Sequence, residues 1–429
     1  MLRNNVKTYS VDGEFVAFLG YEWTVRNTQG GHHNVLFRSP EGRHRVPART
    51  HGTLSKLYQG LRTQHDPADV VVIPHAHQAG DYRLNDPLLE PLIEVMSQHG
   101  TFEWFGRMYL KQGHQVGFTA ASDNHLSQPG YTAPKGGSLS QRGGLGALRA
   151  LQKSRDTLFD AMKDLASYAT TGDRMILDVS LNGVEMGQRA RFSKERKIRG
   201  RIIGTGPINT VTILRNDKAV WTRDYLQNNA NRSSSSGTFH VTFQSDSEPR
   251  NPGDNPRGWR LWQGTLRLTG ATLTEVSGTD FHNTNLQSLK VLDNRTLEFS
   301  THTRGDTSSI VLDLADIRRS GRIDIELAEA REFGGAPPIF RAPQNIPAAS
   351  VTLAFGEIKD GRVTTSLVQD DYVDTISLRS VVTDGPDDVE FEFDDQGNGH
   401  GDYYYVRVLQ ANDALAWSSP IWVGGYPKR

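Results

Sequence analysis

Apolar residues in the first third of the chain fall into two kinds of run. Phe15 to Leu19, Asn34 to Phe37, Val70 to Ile73 and Val116 to Ala120 are short and nearly continuous, the pattern of buried strands. Leu88 to Met96 and Trp104 to Leu110 instead space their apolar residues along one face of a helix. A further helix is predicted over Thr157 to Ala166, where Leu158, Ala161, Met162 and Leu165 share a face and Ser154 or Asp156 can cap the start. Strands alternating with helices imply an α/β layer or barrel.

The pattern changes after Tyr168-Ala169-Thr170-Thr171-Gly172. From Met175 onward nearly every segment reads as a strand, including Ile202-Ile203, Val211 to Leu214, Thr265 to Leu268, Ile310 to Leu314, Ile323 to Leu327, Val351 to Phe355 and Tyr403 to Val408. Asn228 to Gly237 and Ser245 to Gly258 are polar, Ser- and Pro-rich punctuation. The acidic run Asp384 to Asp395 is expected to be a solvated strand edge and turn. The expected division is an α/β metal-binding domain over 1–175, an immunoglobulin-like sandwich built from 176–235 and 385–429, and an inserted β-rich domain over 240–380.

Composition narrows the function. The 429 residues exceed one ordinary core. With 48 basic and 49 acidic side chains, a net charge of -1 provides no broad field for nucleic acid or an anionic membrane. No apolar run is long enough to span a bilayer, and Met1 to Ser10 lacks the apolar core of a signal peptide, so localisation stays open. With no cysteine, thiolate nucleophiles and thiolate metal sites are excluded, and a metal must sit on His, Asp or Glu.

Ten of the 14 histidines lie between His32 and His125. Four motifs close apolar runs with potential ligands: Gly20-Tyr21-Glu22-Trp23-Thr24, Gly30-Gly31-His32-His33-Asn34, Ile73-Pro74-His75-Ala76-His77 and Ala121-Ser122-Asp123-Asn124-His125. If these runs are parallel strands, their C-terminal ends converge on one face, where side chains can surround an ion. A lone histidine is more often a satisfied polar residue, and His44, His51, His65, His99 and His114 are left in that class. Arg83, Arg107, Lys111 and His114 could hold substrate oxygens, with surface placement the expected alternative. Gly136-Gly137 and Gly143-Gly144 bracket a loop whose spacing fits neither common phosphate-binding motif. Arg304-Gly305-Asp306 is expected to be a turn. Trp259, Trp262, Trp417 and Trp422 are expected in the core, with a sugar-stacking platform as the alternative.

The order Gly-x-Glu, then His before an apolar pair, then Pro-His after a β run, then Ser-Asp-x-His resembles the later metal-binding motifs of the polymerase-and-histidinol-phosphatase (PHP) superfamily. Gly20 to Thr24, Gly31 to Phe37 and Tyr168 to Gly172 look like one branch of it that carries a β-rich C-terminal region. Tyr403 to Val408 and Ala416 to Val423 are similar to that branch too. The resemblance implies an α/β fold, a partial PHP-type β/α barrel, followed by all-β sandwich domains. It also implies metal ligation by Glu22, His32, His75, Asp123 and His125, with His33 a weaker substitute for His32 and Asp123 able to accept a proton from water. Glu22, His32 and His75 would form a two-histidine, one-carboxylate set with a position open to water. One to three divalent ions are expected, zinc, manganese or iron.

The His-x-His strand and Asp-His pair that open such domains are absent before Glu22. The expectation is that a longer protein supplies the first strands, that they were lost, or that a partner chain completes the barrel. Two functions follow: a metal-dependent hydrolase acting on a small-molecule or ester substrate, foremost a phosphoester, or a non-catalytic remnant that binds or scaffolds through its β domains, carbohydrate being one such ligand.

Overall fold

The computed structural model describes all residues except 28, 79, 126–140, 228–234, 251–253, 280, 335–342, 360, 398 and 426–429. The chain opens with helix α1 (Leu2–Tyr9), strands β1 (Leu19–Val25) and β2 (Gly31–Phe37), helix α2 (Leu54–Gln64) and strand β3 (Val70–Pro74). Strands β4 (Leu92–Ser97) and β5 (Gly100–Thr101), helix α3 (Glu103–Lys111) and strands β6 (Gly117–Ala120) and β7 (Leu145–Leu148) follow. Helix α4 (Arg155–Lys163) and strand β8 (Ser167–Thr170) complete this part. Strands dominate from there on, and among the described residues no helix is long and apolar enough to cross a membrane.

The expected α/β architecture, a partial PHP-type β/α barrel, is not what forms. β1, β2 and β3 make an antiparallel sheet, with Thr24 opposite His32 and His33 opposite Pro74. The connection from β1 to β2 is a hairpin of five residues, whereas a parallel crossover needs a dozen or more. Among the described residues up to β8, only β4 and β6 pair in parallel within a sheet, joined through α3, and a single parallel bridge between His75 and Glu94 extends that alignment to the end of β3. Among the described residues no barrel closes.

A second departure lies at Leu88 to Met96, where helical spacing gives way to the strand β4. All six residues of β4 are buried between β3 and β6, and Ile93 and Val95 suit an extended central strand better than a helix. The expected strand at Phe15 to Leu19 begins only at Leu19 and runs on through Glu22. The expected α3 and α4 segments are helical. α4 starts at a capping box in which the Ser154 hydroxyl and the Thr157 side chain exchange hydrogen bonds with each other's backbone amides. Ser154→Ala is expected to cost about 1 kcal/mol, read from urea unfolding, because it leaves first-turn amides without a partner. A loss indistinguishable from zero would mean that tertiary contacts alone hold α4.

All seven named strand segments after Met175 fall wholly or largely in strands, and the all-β C-terminal part is observed. Ile176–Leu181, Glu195–Ile203 and Asp388–Gln396 share one sheet; Ile208–Arg215, Asp402–Gln410, Leu415–Ser418 and Ile421–Val423 share another with β7 and β8. Leu177, Val179, Ile202, Val211, Phe391, Tyr404 and Val408 fill the core between them. The acidic run supplies the edge strand Asp388–Gln396, which is zipped to a basic neighbour by Arg199 to Glu392 and Arg201 to Asp388, each at 2.6 Å.

Residues 237–381 build two five-stranded sheets over one core that includes Phe243, Trp262, Leu266, Phe299, Ile325 and Leu378. Trp259, Trp262, Trp417 and Trp422 are all 1–2% exposed, so none offers a face for stacking sugars.

Candidate metal centre

The centre forms where β3, β4 and β6 end side by side. His75 and His77 follow β3, Glu94 lies in β4, His99 sits between β4 and β5, and Asp123 and His125 follow β6. His32 enters from the hairpin: it begins β2, beside the last residues of β1. Gly31, at a φ of 77°, allows the backbone turn that precedes it. Neighbouring side chains alternate across a strand, so His33 points the other way into the core, against Trp23 and 3.7 Å from the buried Glu90. Burial drives the His33 imidazole down to about 3 and the Glu90 carboxyl up to about 8.

Three groups of donors could each hold an ion, their ligand atoms all within 4.8 Å of one another: His32, His75 and His77; His75, His77, Glu94 and Asp123; and His99, Asp123 and His125. The groups overlap, so this is one extended centre. Asp123 is its hub. Its Oδ2 lies 3.6 Å from His75 Nδ1, 3.8 Å from His77 Nδ1 and 3.2 Å from His99 Nε2, and its Oδ1 lies 3.7 Å from His125 Nε2. The backbone there is left-handed, with φ 47°. The His77 and His99 rings stack with centroids 3.8 Å apart.

Buried donors without a well-formed hydrogen bond mark the site. His32 Nε2, both ring nitrogens of His75, His77 Nδ1, Glu94 Oε2 and His99 Nε2 make no hydrogen bond of normal geometry. Leaving a buried polar atom unsatisfied costs about 1–3 kcal/mol, so several converging on one point are readily explained by a cation. The donor set, imidazole and carboxylate without thiolate, suits zinc, manganese or iron.

Electrostatics divide the donors into two kinds. Burial holds His77 far below its usual value and lowers His99, keeping both neutral. Burial also opposes charge on His75, but Glu94, Asp123 and Glu22 outweigh it and raise the imidazole to about 9. Glu94 is raised to about 7 by burial. Burial opposes charge on Asp123, but the close approach of His75 and His99 outweighs it and holds the carboxyl below the usual carboxylate range.

Metal uptake near pH 7.5 is therefore expected to displace about one proton, from His75, and affinity should rise up to about tenfold per pH unit toward pH 9. Calorimetry in buffers of different ionisation enthalpy measures this; uptake without proton release would contradict it. In the metal-free protein the raised His75 pKa adds stability that is complete below about pH 6.5 and is lost as pH climbs through 9.

Of the residues expected as ligands, His32, His75, Asp123 and His125 join the donor groups. Glu22 does not: it pairs with His32 Nδ1 at 3.1 Å, accepts a hydrogen bond from Thr24 and is held near 2, chiefly by His32. His77, Glu94 and His99 are the additions. Glu94 left a trace in the sequence, as the one charge inside Leu92-Ile93-Glu94-Val95-Met96, where a buried carboxylate must find a partner.

The other histidines left unassigned are engaged elsewhere: His51 with Thr50, His65 with the His44 carbonyl, and His114 with the Arg83 carbonyl. Arg83 pairs with Asp81, Arg107 with Glu248 and Lys111 with Asp217, away from the donor groups. Of the glycine-flanked loop, residues 136–140 lie outside the described residues; Gly144 donates to the Ala121 carbonyl.

Residues 2–81 match the model of a family described as a protein of unknown function, DUF3604. An uncharacterised protein of Chlamydia pneumoniae is 21% identical over 252 residues, which is 52% of this chain and 40% of that protein. One of Chlamydia muridarum is 33% identical over 85 residues, 18% of this chain and 14% of the relative. The chain thus spans two-fifths or less of these relatives' lengths. Among solved structures, a cohesin module from a Clostridium perfringens family 33 glycoside hydrolase aligns at 9% identity, covering 42% of this chain and 96% of the module with a TM-score of 0.12. So low a score carries no weight.

Proposed function

We propose that this protein is a metal-dependent hydrolase whose centre is built from His32, His75, His77, Glu94, His99, Asp123 and His125, and that its substrate is a phosphate ester. The observation that carries the proposal is the cluster of buried imidazole nitrogens around Asp123 that make no hydrogen bond of normal geometry. The likeness of the motif order to the PHP superfamily supports the choice of ester.

A divalent ion, when bound, supplies Lewis acidity: it acidifies water and neutralises charge that builds on ester oxygens. The chain's own contribution is geometry and charge. Asp123 meets four imidazoles with its two oxygens, and it would be a ligand common to the second and third donor groups. A carboxylate held so firmly charged takes up protons poorly, so ligation fits it better than the role of base. Glu94, raised to about 7, and His75, raised to about 9, would each give up a proton on ligating an ion.

The test is elemental analysis of protein purified without chelator, followed by assays on a chromogenic phosphomonoester and phosphodiester with added manganese or zinc. One or more equivalents of metal with chelator-sensitive hydrolysis is the expected result. Bound metal without hydrolysis of either ester would favour the non-catalytic alternative, and no metal even after reconstitution would overturn the proposal.

A further inference from the structure

The tripeptide Arg304-Gly305-Asp306 links strands Thr296–Thr303 and Thr307–Ala315, in the two sheets that face each other across the 237–381 core. It lies against the metal centre. Arg304 is 2% exposed, and its guanidinium donates from Nε to the Arg257 carbonyl at 2.6 Å, from Nη2 to that of Pro256 at 3.2 Å and from Nη1 to the main-chain carbonyl of His99. It lies over the rings of Phe102 and Trp259. In return, the Thr101 amide donates to the Arg304 carbonyl at 2.9 Å.

Gly305, at φ 82°, fits so closely that an added Cβ would stand 1.9 Å from the Thr101 carbonyl oxygen. Asp306 accepts from the Arg304 amide at 2.7 Å and from Gln141 Nε2, and the Gln141 amide in turn donates to the Gln98 carbonyl at 3.4 Å. The turn therefore grips residues 98–101, the short connection that carries His99.

We propose that Arg304 is a positioning residue for the metal centre: by fastening the main chain of His99 it sets the imidazole against Asp123 and His77, and so completes the third donor group. This rests on the metal-binding reading above. A burying role alone would be served as well by an apolar side chain of similar volume, without the cost of desolvating a cation. A fork of donors that reaches carbonyls on two separate segments is particular to arginine; lysine offers its three donors from one atom. Groups behind a ligand typically set metal affinity within about 10–100-fold.

Cobalt(II) titration of the full chain, followed by visible absorption well below each variant's melting temperature, tests the proposal. Arg304→Ala is expected to lose one cobalt equivalent or to bind it about 10–100-fold more weakly, with the other equivalents kept. His99→Ala should lose the same equivalent, and Arg304→Lys should fall between Arg304→Ala and the parent.

A folded Arg304→Ala protein with the parent's stoichiometry, affinities and cobalt spectrum overturns the proposal. If that variant does not fold, Arg304→Lys decides by the same readouts, since it keeps a buried cation while losing the fork that reaches the His99 carbonyl. A parent that binds no cobalt defeats the metal reading itself, a distinct outcome.

Discussion

Replacing His75 and Asp123 together with alanine is expected to reduce bound metal from at least one equivalent to near none, and to abolish ester hydrolysis with it. His75 belongs to the first two donor groups and Asp123 to the second and third, so the pair removes a ligand from every group. Changes behind a ligand cost about 10–100-fold in affinity; loss of direct ligands should exceed the upper end, at least about 100-fold. The double variant also removes a buried cation and its counter-ion together, so the metal-free fold should survive better than in either single variant. Elemental analysis and circular dichroism on the same preparations separate the two effects. Retention of a full equivalent by a folded double variant would mean that the ion sits elsewhere.

The largest loss of stability is expected from Asp374→Ala, at about 3–5 kcal/mol. Asp374 stands on strand Tyr372–Val381 of one sheet, with its Oδ1 2.8 Å from Arg257 and its Oδ2 2.7 Å from Arg260 on the facing sheet. Arg257 also pairs with Glu332, and all four side chains are at most 4% exposed. Removing the shared carboxylate leaves two buried guanidinium groups competing for one anion. On the surface, Arg199→Ala breaks an ion pair with Glu392 that water already screens, and should cost less than about 1 kcal/mol. Urea unfolding of the two variants should show that contrast; a similar small loss from both would mean that water reaches Asp374.

What the sequence revealed depended on how local each signal was. The α4 capping box and the apolar face of α3 are set within a few residues, and both helices stand where their patterns put them. β4 was hidden because Leu88 to Met96 space their apolar residues as a helix would, and only the place of the stretch between β3 and β6 makes it a strand. The sheet directions were hidden too. Nothing in Val70 to Ile73 says that β3 runs antiparallel to β2 and alongside the end of β4.

The centre followed the same rule. His32, His75, Asp123 and His125, which the fold brings into the donor groups, each belong to a short motif next to an apolar run. His99 lies in an ordinary polar turn, and its value comes from Arg304, some two hundred residues further on. Glu22 stands within β1 rather than past its end and pairs with His32, outside the three donor groups.

The strands that carry the centre are also tied to the far end of the chain. The Phe118 amide in β6 donates to Ser419 Oγ at 2.9 Å, Ser167 in β8 bonds the Phe118 carbonyl at 2.9 Å, and β8 pairs with Leu415–Ser418. During synthesis β6 therefore waits about three hundred residues for its last partner, while the whole β-rich region emerges first. Closing so long a loop is entropically slow. Until Leu415–Ser418 has left the ribosome, β8 presents an unpaired edge that invites association between nascent chains, so the centre should be among the last parts of the protein to mature and the most dependent on chaperones.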